Sequence, residues 1–151
     1  MLYKHILIAS GGAAHSRKAE ERAVALAKTF ESKLTLVSVA RVSLSPTIIG
    51  GGLDAGIPIT HAESPDDQIA RQKDVLEDAC QRCEKHGLRP ETILKTGNAG
   101  EEVIRLAKEI ECDLIVLGSR QLSILATITQ GSVSDYVMRR AECDVLIARS
   151  G

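Results

Sequence analysis

Hydrophobic residues in this chain fall into short continuous runs, separated by longer segments in which they recur every three or four residues. Short apolar runs bounded by glycine or proline indicate strands buried on both faces, as in a parallel sheet. The predicted strands are residues 4–10, 34–40, 90–96, 114–117 and 145–148. The run 114–117 is unbroken and is followed by Gly118, so we expect the strand to end there in a turn.

The intervening segments carry the spacing of amphipathic helices. The first covers residues 15–30, with its apolar stripe at Ala19, Ala23, Leu26, Ala27 and Phe30. The second is predicted to start at Pro65, with Ser64 as its cap, and to stop at Gly87. A turn at residues 97–100 leads into the third, in which Glu101 and Glu102 complement the helix dipole. The fourth runs over 132–140.

Strands that alternate with helices favour an α/β fold with parallel crossovers. The 151 residues suit a single domain over 1–151, and we find no internal boundary or low-complexity tract. The segment 41–64 differs from the rest, because Pro46, Pro58 and a run of glycines interrupt it although it carries several isoleucines. Long loops of this kind are lids, partner contacts or mobile segments without a specific role.

Composition excludes several function classes. The net charge is −1 and aromatic residues make up only 2%, so neither a nucleic acid nor a membrane surface is an expected partner. No apolar run approaches the roughly 20 residues that span a bilayer, and the amino terminus enters a strand without a signal-peptide pattern. We therefore expect a cytoplasmic protein.

The four cysteines are predicted to pack rather than to react. Cys80 and Cys83 lie three residues apart on one apolar helix face. Cys112 and Cys143 each stand inside a Glu-Cys-Asp tripeptide before an apolar run, which suggests equivalent positions on adjacent strands. No histidine has ligand-like spacing with them, so no metal is expected.

Two glycine-marked turns suggest an anion site. Gly118 follows a buried strand, and Gly131-Ser132 precedes a helix whose first amides point outward. Bare amides and the positive end of a helix both favour phosphate. His15 and Ser16 are neighbours at a helix start and are interpreted as caps, because no acid is placed to orient the imidazole; no catalytic residue is assigned.

These motifs resemble the nucleotide loop of the universal stress proteins, whose pattern is Gly-x2-Gly-x9-Gly-Ser/Thr. Gly118, the nine-residue spacer and Gly131-Ser132 are in register with it, whereas Gln121 stands at its second glycine. The likeness extends through residues 5–10, 95–98 and 145–147. It implies a doubly wound five-stranded parallel sheet of order 3-2-1-4-5, similar to the adenine-nucleotide alpha hydrolases, with the site at the carboxyl ends of the first and fourth strands.

The resemblance also implies the ligand and the residues that would hold it. ATP, with Mg²⁺, is the implied cofactor, and very slow hydrolysis is the most activity we expect. The family contacts ATP through an acidic residue that ends the first strand, a valine on the second strand and the glycine loop. The acidic position is Gly11 here, and Val39 corresponds to the valine. The assigned binding residues are Gly11, Val39, Leu117, Gly118, Ser119, Arg120, Gln121, Gly131, Ser132 and Val133.

Two functions remain open at this point. One is a stress-response module that binds an adenine nucleotide, and the other is an interaction protein of the same fold that binds none. In either case the strand from Val145 to Ala148 would be an edge strand with unpaired amides, which predicts a homodimer through this strand, and protein partners are compatible with both.

Overall fold

The computed structural model describes residues 2–11, 14–41, 64–119 and 133–149. Five strands and four helices lie within these ranges. The strands are β1 His5–Ala9, β2 Lys33–Ala40, β3 Glu91–Thr96, β4 Leu114–Ser119 and β5 Asp144–Arg149. The helices are α1 Ala14–Phe30, α2 Pro65–Glu84, α3 Ala99–Glu109 and α4 Val133–Arg140. The segment 42–63 lies outside the described residues, so the alternatives given for it, a lid, a partner contact or a mobile segment, stay predictions.

All five strands join one parallel sheet in the order β3-β2-β1-β4-β5, which confirms the predicted topology. β1 lies between β2 and β4, with Ala9 opposite Val37 and Ile8 opposite Val116. The two halves of the sheet therefore wind outward from β1, and β3 and β5 form its edges within the described part of the chain.

The core lies in two layers, one on each face of this sheet. Ile6 and Ile8 face the first layer with α1 and α2, whereas Leu7 faces the second with α3 and α4. All three side chains are fully buried, and burial of each stabilises the fold by roughly 1.5–3 kcal/mol. No helix in the described ranges is both long and apolar enough to cross a bilayer.

The ends of the helices follow local rules. The side chain of Ser64 caps α2 with Pro65 in its first turn, and that of Asn98 caps α3. At the other end of α2, Gly87 has φ +80° and the amide of Leu88 donates to the carbonyl of Cys83, a Schellman motif. Glu31 and Glu111 adopt the same left-handed conformation after α1 and α3 without being glycine. Gly87, at which the sequence predicted α2 to stop, lies three residues past Glu84, the last residue of this helix.

Two glycines predicted to turn do not turn. β4 continues through Gly118 to Ser119, which pair with Ala148 and Arg149 of β5, so the expected strand end at Gly118 is wrong. Gly100 lies inside the first turn of α3 because Asn98 already caps the helix. A Cβ atom on Gly100 would stand 2.7 Å from Cδ1 of Tyr136, so glycine is needed for close helix packing.

This contact predicts the effect of Gly100→Ala. Helix propensity alone would favour alanine by about 1 kcal/mol, whereas overpacking costs about 1–3 kcal/mol. We expect the free energy of unfolding, measured with urea, to fall. The pair Gly100→Ala with Tyr136→Ala should cost less than the sum of the two single variants. An alanine variant as stable as the natural chain would show that Tyr136 does not require the glycine.

Candidate functional site

The candidate site lies at the carboxyl edge of the sheet, where β1 meets β4. After β1 the chain passes through α1 to β2, which lies on one side of β1 in the sheet. β4 lies on the other side of β1 and is followed by α4 and β5. The strand order therefore reverses between β1 and β4, which makes this edge a topological switch point. The last register pairs of β1 are Ala9 with Val37 of β2 and Ile8 with Val116 of β4. Gly11 lies two residues past the end of β1, Val39 is the last residue but one of β2, and Ser119 is the last residue of β4. These three assigned residues therefore lie at the carboxyl ends of three adjacent strands.

Ser16 fixes the turn that follows β1. The hydroxyl of Ser16 accepts a hydrogen bond of 3.0 Å from the backbone N–H of Gly11, and Ser16 is only 3% exposed. Ser16 is the third residue of α1, so it reaches back across the turn and does not occupy the cap position that the sequence suggested. Gly11 is exposed, and among the described residues a Cβ atom there would meet the hydroxyl oxygen of Ser16, at 3.5 Å. The described part of the chain therefore leaves room for a Cβ atom at position 11.

Sequence reasoning missed a buried carboxylate beside this turn. Glu20 lies one helical turn after Ser16 and is 3% exposed. Its carboxylate accepts a hydrogen bond from the hydroxyl of Ser10 at 2.8 Å, and from Nε and Nη2 of Arg82 at 2.7 and 2.9 Å. The hydrogen bonds with Glu20 raise the pKa of the Arg82 guanidinium above its usual value. The sequence carried only part of the signal: Glu20 precedes the buried residues Ala23 and Ala27 by three and seven positions, but nothing near it in the sequence indicates its partner Arg82.

On β2, alternate residues face different environments at this edge. Val39 is half-buried and packs against the second core layer. Ser38, buried on the opposite face, donates its hydroxyl hydrogen to the side-chain oxygen of Gln72 in α2. The Val39 side chain therefore packs into the core, while its backbone lies at the carboxyl edge of the sheet.

The β4 side of the site consists of Leu117, Gly118 and Ser119. Leu117 is buried in the second core layer, and Gly118 is half-buried within the strand. The strand continues through Ser119, which is the last described residue before α4. Val133 is half-buried at the start of α4 and packs against the same layer. Arg120, Gln121, Gly131 and Ser132 lie outside the described residues.

Glu101 and Glu102 stand in the first turn of α3, as predicted. The carboxylate of Glu102 pairs with the guanidinium of Arg105 on the same helix. This placement agrees with their expected role beside the helix dipole.

Comparison with known proteins identifies the class. The model of the universal stress protein family matches residues 2–149, and the chain belongs to this family. Universal stress protein YxiE of Bacillus subtilis is 32% identical over 149 residues, which cover 98% of this chain and 100% of the relative.

Solved structures share the fold over nearly the whole chain. A universal stress protein in complex with cAMP has a TM-score of 0.75 and 23% identity, with 100% of both chains covered. A universal stress protein family protein from Arabidopsis thaliana with AMP bound has a TM-score of 0.66 and 19% identity, with 98% of this chain and 92% of that chain covered.

The buried ion pair generates a stability prediction. Arg82→Met would leave the Glu20 carboxylate buried with Ser10 as its remaining described partner, and breaking a buried pair costs about 3–5 kcal/mol. The Arg82 side chain is 34% exposed, so we expect a loss of about 2–3 kcal/mol in urea unfolding. Arg139→Met is the control, because its pair with Asp135 is exposed and should contribute less than about 1 kcal/mol. Equal losses for the two variants would contradict a structural role for Glu20.

Proposed function

We propose that this chain is a cytoplasmic, single-domain regulatory module of the stress response that binds an adenine nucleotide at the β1–β4 edge. One observation supports this most directly: Gly11, Val39 and Ser119 lie at the carboxyl ends of adjacent strands at the switch point, where open α/β sheets bind their ligands. Family members that share the fold are solved with cAMP and with AMP. The nucleotide would serve as a switch ligand and not as a substrate that turns over rapidly.

The phosphates would rest on the amino-terminal side of α4. Gly118, Gly131 and the amides of Ser132 and Val133 would surround them, since unpaired amides and the helix dipole favour an anion. The Ser119 hydroxyl and the Arg120 guanidinium would add hydrogen bonds, the latter charge-assisted. The backbone of Val39 is proposed to contact the base.

Two residues would keep the affinity modest. Gly11 supplies no carboxylate where the family has one, and Gln121 places a side chain where the family has glycine. The described residues leave room for a Cβ atom at Gly11, whose contact with Ser16 would be an ordinary one. The missing carboxylate can therefore be restored without a clash at that atom.

Ligand binding is the direct test. A ligand that binds only the folded state stabilises it by RT ln(1 + [L]/Kd), about 4 kcal/mol at a thousandfold excess over Kd. We expect ATP with Mg²⁺, AMP or cAMP to raise the melting temperature, and Gly11→Asp with Gln121→Gly to bind more tightly in calorimetry. Gly131→Glu should abolish binding, because it puts charge and bulk at the helix end. Unliganded melting temperatures of the variants serve as the control for folding.

The alternative is a homodimeric interaction protein that binds no nucleotide. The same two departures, Gly11 and Gln121, favour it. No shift for the natural chain, together with a clear shift for the double variant, would leave this alternative standing and reject the nucleotide switch.

In both cases we propose a homodimer through β5. β5 has β4 on one side and forms an edge of the sheet within the described chain. Val145, Leu146 and Ile147 are all half-buried on it, so pairing with a second copy would cover apolar side chains and satisfy edge amides. An antiparallel, isologous pair closes after two copies.

A charge on the edge tests this dimer. Ile147→Lys places an ammonium group in the proposed interface and should convert the dimer to a monomer in sedimentation velocity at micromolar concentration. Ile93→Lys is matched to it, because Ile93 is half-buried against the same core layer on the opposite edge strand, β3. The control should lose comparable stability and remain dimeric. A natural chain that sediments as a monomer would reject the proposal.

A further inference from the structure

Two of the four cysteines come together at the amino-terminal edge of the sheet. The Sγ atoms of Cys112 and Cys143 lie 4.0 Å apart. The sheet register pairs Leu114 with Asp144, so the two cysteines differ by one residue from the equivalent positions that their tripeptides suggested. Cys112 precedes β4 by two residues and Cys143 directly precedes β5. Both side chains nevertheless turn to the same core layer.

A cleft gives access to this pair from solvent. It has a volume of about 390 Å³ and lies between the end of α3 and the turn that follows α4. Ile104, Ala107 and Ala141 form its apolar lining beside the two cysteines. At its rim, Nζ of Lys108 lies 3.1 Å from a carboxylate oxygen of Glu142, and both side chains are largely exposed. The cleft is large enough for a small molecule to reach the sulfur atoms.

The two cysteines differ in access. Cys112 is 7% exposed, whereas Cys143 is half-buried. The other pair is placed differently: Cys83 is fully buried in the first core layer, and Cys80 contacts the Glu84 carboxylate at 3.6 Å.

We propose that Cys112 and Cys143 form a reversible dithiol–disulfide pair that reacts with low-molecular-weight disulfides through the cleft. The Cys143 thiolate attacks one sulfur of the small disulfide, forms a mixed disulfide and releases one thiolate. Cys112 then loses its proton and attacks Sγ of Cys143, and the second small thiolate leaves. Two electrons pass to the small disulfide, which becomes two thiols, and the chain loses two hydrogens.

The order of attack follows from burial and hydrogen bonding. Burial, together with the neighbouring Cys143 sulfur, raises the pKa of Cys112 to about 12. Burial also raises the pKa of Cys143, but a hydrogen bond from Cys112 opposes this by stabilising the Cys143 thiolate. Cys143 is therefore the thiol that ionises first and meets the co-reactant. Since both thiols are protonated near neutral pH, the reaction is slow there and accelerates about tenfold per pH unit.

The bond would join the two ends of one segment. It would close a loop from residue 112 to residue 143, which contains β4, α4 and the chain between them. Disulfides that close long loops restrict the unfolded chain and so favour the folded one. The disulfide form should therefore melt at a higher temperature than the dithiol form.

The experiment is oxidation of the full-length natural chain with the disulfide form of glutathione at several pH values. We expect two of the four free thiols to be lost, with the tryptic peptides 109–120 and 141–149 joined in a non-reducing digest and separated by dithiothreitol. Four remaining thiols, or cross-links confined to Cys80 and Cys83 or to pairs of chains, would overturn the proposal.

Single variants test the order of attack. Cys112→Ser, or Cys112→Ala should serine not be tolerated at this buried site, should accumulate glutathione on Cys143. Cys143→Ser should leave Cys112 unmodified because it is buried. Cys80→Ser is the control and should form the 112–143 cross-link at the natural rate. Faster modification of Cys112 than of Cys143 would refute the assigned roles.

Discussion

The position of β1 is the constraint on which the rest of the structure depends. β1 pairs with β2 on one side and β4 on the other, and its residues Ile6, Leu7 and Ile8 are buried from both faces. Ile6, Leu7 and Ile8 pair with both neighbouring strands, and the amide of His5 donates to the carboxylate of Asp113, so these buried backbone groups have partners within the fold. Because the chain winds in opposite directions from this strand, the strand order reverses between β1 and β4, and the carboxyl ends of these two strands form the topological switch point.

A buried polar network reinforces the β1 side of this switch point. Glu20 links Ser10, at the end of β1, to Arg82 near the end of α2, and Ser16 on the same face of α1 holds the amide of Gly11. A paired buried charge is weak evidence for net stability, but an unpaired one is costly. The network therefore fixes the relative positions of α1, α2 and the end of β1, because the carboxylate remains paired only in that arrangement. The β1 side of the candidate site is held by the scaffold in this way.

The sequence predicted the features that local rules determine. Apolar runs located all five strands, and Ser64 and Pro65 located the start of α2, because caps and buried strands depend on neighbours in the sequence. Prediction from the sequence failed where contacts between residues far apart in the chain determine the local structure. Position 100 requires glycine because Tyr136, 36 positions away in the chain, packs against it, and Gly118 stays in β4 because β5 continues beside it. Glu20 resembled an ordinary helix residue until α2 brought Arg82 to it.

The two proposed sites act on one segment from opposite ends. β4 and α4 join the carboxyl edge, where the nucleotide would bind, to the amino-terminal edge, where Cys112 and Cys143 meet. If both events favour the same arrangement of β4 and α4, each must strengthen the other by the same factor, because coupling free energies between equilibrium events are reciprocal. Nucleotide would then shift the thiol–disulfide equilibrium toward the disulfide, and oxidation would tighten nucleotide binding. Coupling of the opposite sign would mean that the cross-linked segment differs in conformation from the nucleotide-binding one.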